Sequence, residues 1–195
     1  MILLLCAVVC FTNAVRYTEP DWFEFSRVVP ANQRYGNRYF FDVDNIGENV
    51  TFKAVAIHHQ GNDVVFGEFK EESSCATFAT GDSTVTKCDN TFFLLHANFI
   101  FHQRVPLNEA LREKKCRRVK FGANNLMVFK YDVLNPSSPK YVGTYVEGNA
   151  NEGKDLAMYI DDENEKHVIK GILREIVLNQ MDPSKIELFC FGEYT

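Results

Sequence analysis

The sequence predicts a mainly β fold, a small antiparallel up-and-down barrel or a sandwich, with one amphipathic helix near the C-terminus. Three observations carry that expectation. Short segments alternate apolar and polar residues, turn signals separate them, and the stretch 168–177 repeats its apolar residues at helical spacing.

Taken in order, residues 38–44 put Tyr39, Phe41 and Val43 on one face of a strand. Residues 50–57 alternate at first and then turn apolar on both faces. The turn Gln60-Gly61-Asn62-Asp63 joins them to 63–69 as a hairpin. The stretch 73–90 is less regular and holds a further short hairpin between Cys75 and Cys88. A strand over 91–101 is apolar on both sides except at His96 and Asn98, and strands over 126–133, 141–146 and 156–160 follow. Asn135-Pro136-Ser137-Ser138-Pro139 and the run 148–153, with glycine at each end, break these strands apart. Neighbouring strands joined by short turns form a meander.

The helix is expected from Val168, Ile169, Ile172, Leu173, Ile176 and Val177, which line one stripe. Asp161, Asp162 and Glu163 sit at its start, where negative charge suits the helix dipole, and Met181-Asp182-Pro183 ends it. Residues 186–191 read as a short last strand. A helix with one apolar face must lie against the outside of the sheet.

The compartment is read from the first residues. An uncharged apolar run over 2–11 leads to Thr12-Asn13-Ala14, the pattern of a signal peptide cut after Ala14. The run is shorter than the roughly 20 apolar residues a membrane span needs, and no second one occurs. Residues 15–195 are therefore expected to be one exported domain with no membrane span. The formal net charge of −5 lacks the basic footprint of a nucleic-acid partner. Seventeen phenylalanines point to a large core or an apolar cavity.

Cys6 and Cys10 leave with the signal, so Cys75, Cys88, Cys116 and Cys190 remain. An even count in an oxidising compartment predicts two disulfides, with three pairings to choose from. If 91–101 is one strand of about 35 Å, Cys88 and Cys116 lie at opposite ends and cannot bridge. Asn49-Val50-Thr51 is a glycosylation sequon.

Trp22-Phe23-Glu24-Phe25-Ser26-Arg27-Val28-Val29-Pro30 resembles the first-strand motif of lipocalins, where a tryptophan opens a strand that runs into a proline-containing loop. The C-terminal order of strand, acidic turn, amphipathic helix and short strand with a late cysteine is similar too. Pro20 stands in place of the family's glycine. The Asp161-Asp162 region replaces its arginine, and Lys130-Tyr131-Asp132 only echoes its threonine-aspartate-tyrosine motif. In this divergence the chain is similar to arthropod salivary lipocalins. The resemblance implies an eight-stranded closed barrel with the helix packed outside, room for one small ligand, and Cys75 or Cys88 tied to Cys190. Two pairings stay open: Cys88–Cys190 with Cys75–Cys116, or Cys75–Cys88 with Cys116–Cys190.

In such a barrel Trp22 marks the closed end and Glu24, Ser26 and Val28 climb one wall. Glu24 is either an anchor for a cationic ligand or, the blander reading and the favoured one, a hydrogen-bonded acid. Tyr39, Phe41, Phe52, Phe66, Phe93, Phe99, Phe129, Tyr141 and Tyr145 are the pool for a cavity lining, or else for a filled core. The basic run Arg112, Lys114, Lys115, Arg117, Arg118 and Lys120 belongs to a solvated connection or to an anion-attracting mouth. His58 and His59 point to opposite faces of one strand and cannot share a metal as a simple pair; with His96 and His102 they read as surface or cavity-polar groups. No cofactor and no metal are expected.

No motif for catalysis is present: there is no G-x-S-x-G, no H-E-x-x-H and no phosphate-binding glycine loop. The expected function is that of a secreted carrier or scavenger of a small apolar or amphipathic ligand: a lipid, an odorant-like compound or a biogenic amine. The rival is a module with a filled barrel whose loops engage an extracellular protein partner. A lipocalin-fold enzyme is a weaker third reading.

Overall fold

A computed structural model describes residues 28–30, 53–60, 63–70, 75–88, 92–95, 102–112, 116–149 and 152–191. Trp22, Glu24, Tyr39, Phe41, Asn49, Phe52, His96, Phe99, Lys114 and Lys115 lie outside them, as do the segment 1–14 and the expected strand 38–44.

Strands predominate, and every pairing among them is antiparallel, as the alternating segments predict. The first sheet is built from β1 (Val28–Pro30), β2 (Lys53–Gln60), β3 (Asp63–Lys70), β4 (Cys75–Ala79), β5 (Thr84–Cys88) and β6 (Phe93–Leu95), in the order β1-β6-β2-β3-β4-β5. Its central hairpin closes at Gln60↔Asp63. The second holds β7 (His102–Pro106), β8 (Arg117–Arg118), β9 (Lys120–Phe121), β10 (Asn124–Lys130), β11 (Lys140–Val146), β12 (Leu156–Ile160), β13 (Lys166–Lys170) and β14 (Ile186–Phe191). Its order is β13-β12-β11-β10-β14-β7, with β8 on β14 and β9 on β10. Two short helices, α1 (Leu107–Arg112) and α2 (Ile172–Val177), complete the described elements with a 3-10 turn at Pro183–Lys185. None of the described helices is long and apolar enough to cross a membrane.

The two sheets face each other across a packed core. Val55, Ile57, Val64 and Phe66 of the first meet Leu126, Val128, Val142 and Phe189 of the second, with Val119 and Phe121 at one end. No hydrogen-bonded ladder joins the sheets among the described residues, and no closed barrel is found there. The other face of the second sheet is apolar as well, because Met127, Phe129, Tyr145, Ala157, Tyr159 and Leu188 alternate with the residues of the first core. That face is covered by Leu107 and Ala110 of α1 and by Ile172 and Ile176 of α2. The outer face of the first sheet carries a third cluster of Ala56, Val65, Phe69, Ala76, Phe78, Phe92 and Leu94.

The helix expected over 168–177 is corrected. Its first half is β13, paired in register with β12 from Leu156↔Lys170 to Ile160↔Lys166. His167 and Ile169 face the sheet side and Val168 and Lys170 are exposed, a period of two that β-branched residues suit. Gly171, at φ 69°, turns the chain, and only the six residues of α2 are helical. Six residues still serve the expected purpose of covering a sheet face from outside. The acidic residues thought to start the helix instead make the β12–β13 turn. There the Asp161 Oδ1 accepts the N–H groups of Glu163 and Glu165 at 2.9 and 2.8 Å, and Asn164 takes a φ of 63°. The strand expected over 126–133 is shifted to Asn124–Lys130, since Tyr131 already lies in the exposed turn leading to β11.

The disulfides are Cys75–Cys88 and Cys116–Cys190, with Cα separations of 4.1 and 5.0 Å. The tie from Cys75 or Cys88 to Cys190 that the resemblance implies is therefore overturned, and the local alternative holds. Strand register is the reason. Cys75 and Cys88 sit directly opposite each other across the β4–β5 hairpin, so the nearest partner for each is the other.

Candidate functional site

The chemistry gathers at one rim of the sheet pair. Glu68, Thr77 and Thr86 are consecutive partners across β3, β4 and β5. A strand repeats its face every second residue, so Glu68 shares the face of Val64 and Phe66. The wall that is apolar over β2 and β3 thus turns polar toward β5. Opposite stand Tyr141 of β11, Ile160 of β12 and Asp161, Asp162 and Asn164 of the turn. Together with Cys75 these residues enclose a cleft of about 440 Å³.

Three of the nine described lining residues are carboxylic acids, and none of the nine is lysine, arginine or histidine. The described lining is therefore acidic. Burial raises the Tyr141 hydroxyl above the ordinary phenol range, and the charges of Asp162 and Asp161, a hydrogen bond to Asp162 and the charge of Glu68 push the same way. Tyr141 thus stays a neutral donor that orients Asp162. The Thr77 and Thr86 hydroxyl oxygens are 3.5 Å apart and offer a polar shelf beside Glu68.

Behind the turn, His167 Nε2 lies 2.7 Å from Asp161 Oδ2. Its ring stacks on Tyr159 at 4.8 Å between centroids, and Tyr159 in turn stacks on Tyr141 at 5.5 Å and Phe129 at 4.4 Å. Tyr159 reaches across β11 because Gly143 stands between β10 and β12: a Cβ there would lie 2.9 Å from Tyr159 Cβ and from Met127 Cε. Burial, then the nearby Tyr141, Asp161 and Tyr131, push the Tyr159 hydroxyl up to about 12. Asp161, Glu165 and His167 bring three donor atoms within 4.8 Å of one another. Both oxygens of Asp161 are already hydrogen-bonded, however, which makes the group a tied turn rather than an open ligand set. No family model matches this chain, and no curated protein matches it.

The aromatic pool divides. Phe66 is buried in the core between the sheets and Phe93 packs against it. Phe129, Tyr141 and Tyr145 belong to the core on the far face, under the helices. Of the described members of that pool only Tyr141 also lines the cleft, and Cys75 joins it from the disulfide set. Tyr145 is fully buried, with its hydroxyl 3.5 Å from Asp155.

The histidines obey strand alternation. His58 packs its ring 5.4 Å from Phe78 on the outer face, and His59 lies 5.6 Å from Phe93 on the inner one. Burial lowers both from the ordinary imidazole value, and for His58 the charge of Lys87 adds to it. His102 lies on β7.

The basic run is split among α1, β8 and β9, so it is not one solvated connection. Arg112 and Arg117 are exposed, whereas Arg118 is held by Glu147 at 2.7 Å and by Asn125 at 3.3 Å. None of the four described basic residues of that run, Arg112, Arg117, Arg118 and Lys120, lines the cleft.

Glu68, Thr77, Thr86, Asp161, Asp162 and Asn164 escape a reading by residue type. Each looks like an ordinary polar strand or turn residue, and only the register across three strands puts them together. The available signal is Asp161-Asp162 between two period-two segments, a turn signature once 166–170 is read as a strand.

Proposed function

We propose that this chain is a secreted carrier or scavenger that binds a small amphipathic amine in the cleft between β3–β5 and the β12–β13 turn. It acts by binding rather than by catalysis. The observation that carries the reading is the convergence of Glu68, Asp161 and Asp162 with the Tyr141 hydroxyl on a volume of about 440 Å³ that, among the described residues, no basic side chain lines. Charge-assisted hydrogen bonds from an ammonium to carboxylates are the strong ones, and Ile160 and the Tyr141 ring supply the apolar side of the site. A neutral lipid suits that lining less well.

Export by the 1–14 segment and glycosylation at Asn49 belong to the same proposal, and two disulfides support an oxidising compartment. Membership of the lipocalin family, as a divergent member, is part of the proposal as well. Its support is the antiparallel meander, a short helix covering a sheet from outside, and a late cysteine in the last strand. The closed eight-stranded barrel is not needed for this reading, since the space between the described sheets is packed and the cleft lies at their rim.

The test is calorimetric titration of the full secreted chain with phenethylamine and with its neutral counterpart 2-phenylethanol. Phenethylamine is expected to bind at least tenfold tighter, a difference of about 1.4 kcal/mol. Asp162→Asn and Glu68→Gln should each erase most of that margin. Equal affinities for the two compounds would sink the proposal.

One observation favours the rival reading of a protein-binding module. The turn between β10 and β11 presents Leu134 at 90% and Tyr131 at 68% exposure, beside a filled core. On that reading Leu134→Ser abolishes capture of a protein partner and leaves amine binding unchanged.

A further inference from the structure

Among the described residues, His167 contacts a carboxylate of the cleft, that of Asp161, from behind. It sits on β13 opposite Tyr159, and its side chain is 38% exposed, so protons reach it from solvent. Its Nε2 is 2.7 Å from the Asp161 oxygen that is not tied to the turn backbone. The groups facing it are the Asp161 and Glu165 carboxylates from the turn and the Tyr159 ring from β12. Lys166 and Lys170 flank it on its own strand, each an odd number of residues away and so directed to the other face. Asp162 stands beside Asp161 on the turn, and Glu68 lines the facing wall of the cleft.

From this arrangement we infer that His167 is a proton gate for the cleft, with its protonated ring neutralising Asp161 and so competing with a bound cation. The inference rests on the amine-binding reading above. Imidazole changes charge between about pH 5 and 8, whereas ordinary carboxylates titrate lower. The same contact, with the turn N–H groups adding to it, holds Asp161 below the usual carboxylate range. Asp161 therefore stays ionised throughout that range. Above that range the cleft presents the carboxylates of Glu68, Asp161 and Asp162, with the imidazole beside Asp161 uncharged. Below it, one of them is matched by an imidazolium that stacks on Tyr159, an arrangement a ring face favours. Coupling is reciprocal: a bound cation must depress proton uptake at His167 by the factor by which the proton depresses cation affinity.

The experiment measures phenethylamine affinity of the full chain by calorimetry between pH 7.5 and pH 5.0, where the amine itself keeps its charge. Wild type is expected to lose about fivefold to tenfold in affinity on acidification, a typical size for coupling between two sites. His167→Gln and His167→Phe, the second of which keeps the stack on Tyr159, should bind with no pH dependence. His58→Gln, remote from the cleft wall, should behave as wild type. In parallel, the His167 ring titration followed by NMR should shift to lower pH when phenethylamine is present. Tight binding that is flat with pH in wild type, or equally steep in both His167 variants, overturns the gate and leaves amine binding standing. Absence of binding at every pH overturns both.

Discussion

The Thr144 hydroxyl of β11 lies 2.8 Å from the amide nitrogen of Phe66 and 3.4 Å from its carbonyl oxygen, so one side chain of the second sheet serves both main-chain groups of a residue in the first. The position explains the need. The β3–β4 ladder ends at Gly67↔Phe78, one residue short of Phe66. Two residues further along, the Asn124 amide donates to the Val64 carbonyl at 2.8 Å. Where β4 leaves off, side chains of β10 and β11 take over the edge of β3. The sheets are stitched on that flank and stand apart at the β5 rim, where the cleft is.

Replacing Thr144 with valine keeps the shape and removes both bonds. A buried amide left without a partner costs about 1–3 kcal/mol. Urea unfolding of Thr144→Val should show a loss of that size, with Thr144→Ser losing clearly less. A valine variant as stable as wild type would mean that the hydroxyl is not what holds the sheets together.

Gly143 is the second point where a small change carries far. A methyl group there would meet Met127 and Tyr159 at 2.9 Å and press on the Met158 carbonyl. Gly143→Ala is expected to destabilise by about 1–3 kcal/mol, the usual range for overpacking a filled core. It should also change the near-ultraviolet dichroism of the tyrosines, because the Phe129–Tyr159–Tyr141 stack lies over that position. Unaltered dichroism would separate the glycine from the stack.

Much of the fold was legible because it depends on local patterns. The 53–60/63–70 hairpin, the Cys75–Cys88 hairpin and the strands 140–146, 156–160 and 186–191 follow from alternation and turn residues alone. The residues 166–170 misled because Val168, Ile169, Ile172 and Ile176 satisfy a period of 3.6 while a glycine in the left-handed region divides them. The cleft was not legible. Glu68, Thr77 and Thr86 are remote from Asp161 in sequence, and their meeting depends on how two sheets face each other, which no segment states by itself.

The buried tyrosines give a pH signature at the alkaline end. Tyr159 has its hydroxyl pushed up to about 12 from 10, so the native state favours the neutral phenol more than the unfolded chain does. The sign follows from linkage: this contribution to stability is complete below pH 10 and is lost as pH rises toward 12, because only the unfolded chain ionises in that interval. Absorbance titration at 295 nm should show a late step near pH 12 that Tyr159→Phe removes. A variant retaining that step would assign it to another phenol.

The two disulfides should separate stability from binding. Cys116–Cys190 spans 74 residues and Cys75–Cys88 spans 13. Loop-closure entropy makes the longer tie worth about 4 kcal/mol and the shorter about 3 kcal/mol. Cys116 and Cys190 are buried in the core beneath the helices, far from carrying any part of the cleft lining. Cys75, in contrast, is part of that lining and pins the β4–β5 hairpin on which Thr77 and Thr86 sit. Cys116→Ser with Cys190→Ser should therefore lower the unfolding midpoint more, while phenethylamine affinity below that midpoint stays near wild type. Cys75→Ser with Cys88→Ser should cost less stability and weaken phenethylamine several-fold, because the wall bearing the threonines is then free to splay. If the two double variants lose affinity in proportion to their stability alone, the β4–β5 hairpin does not shape the site.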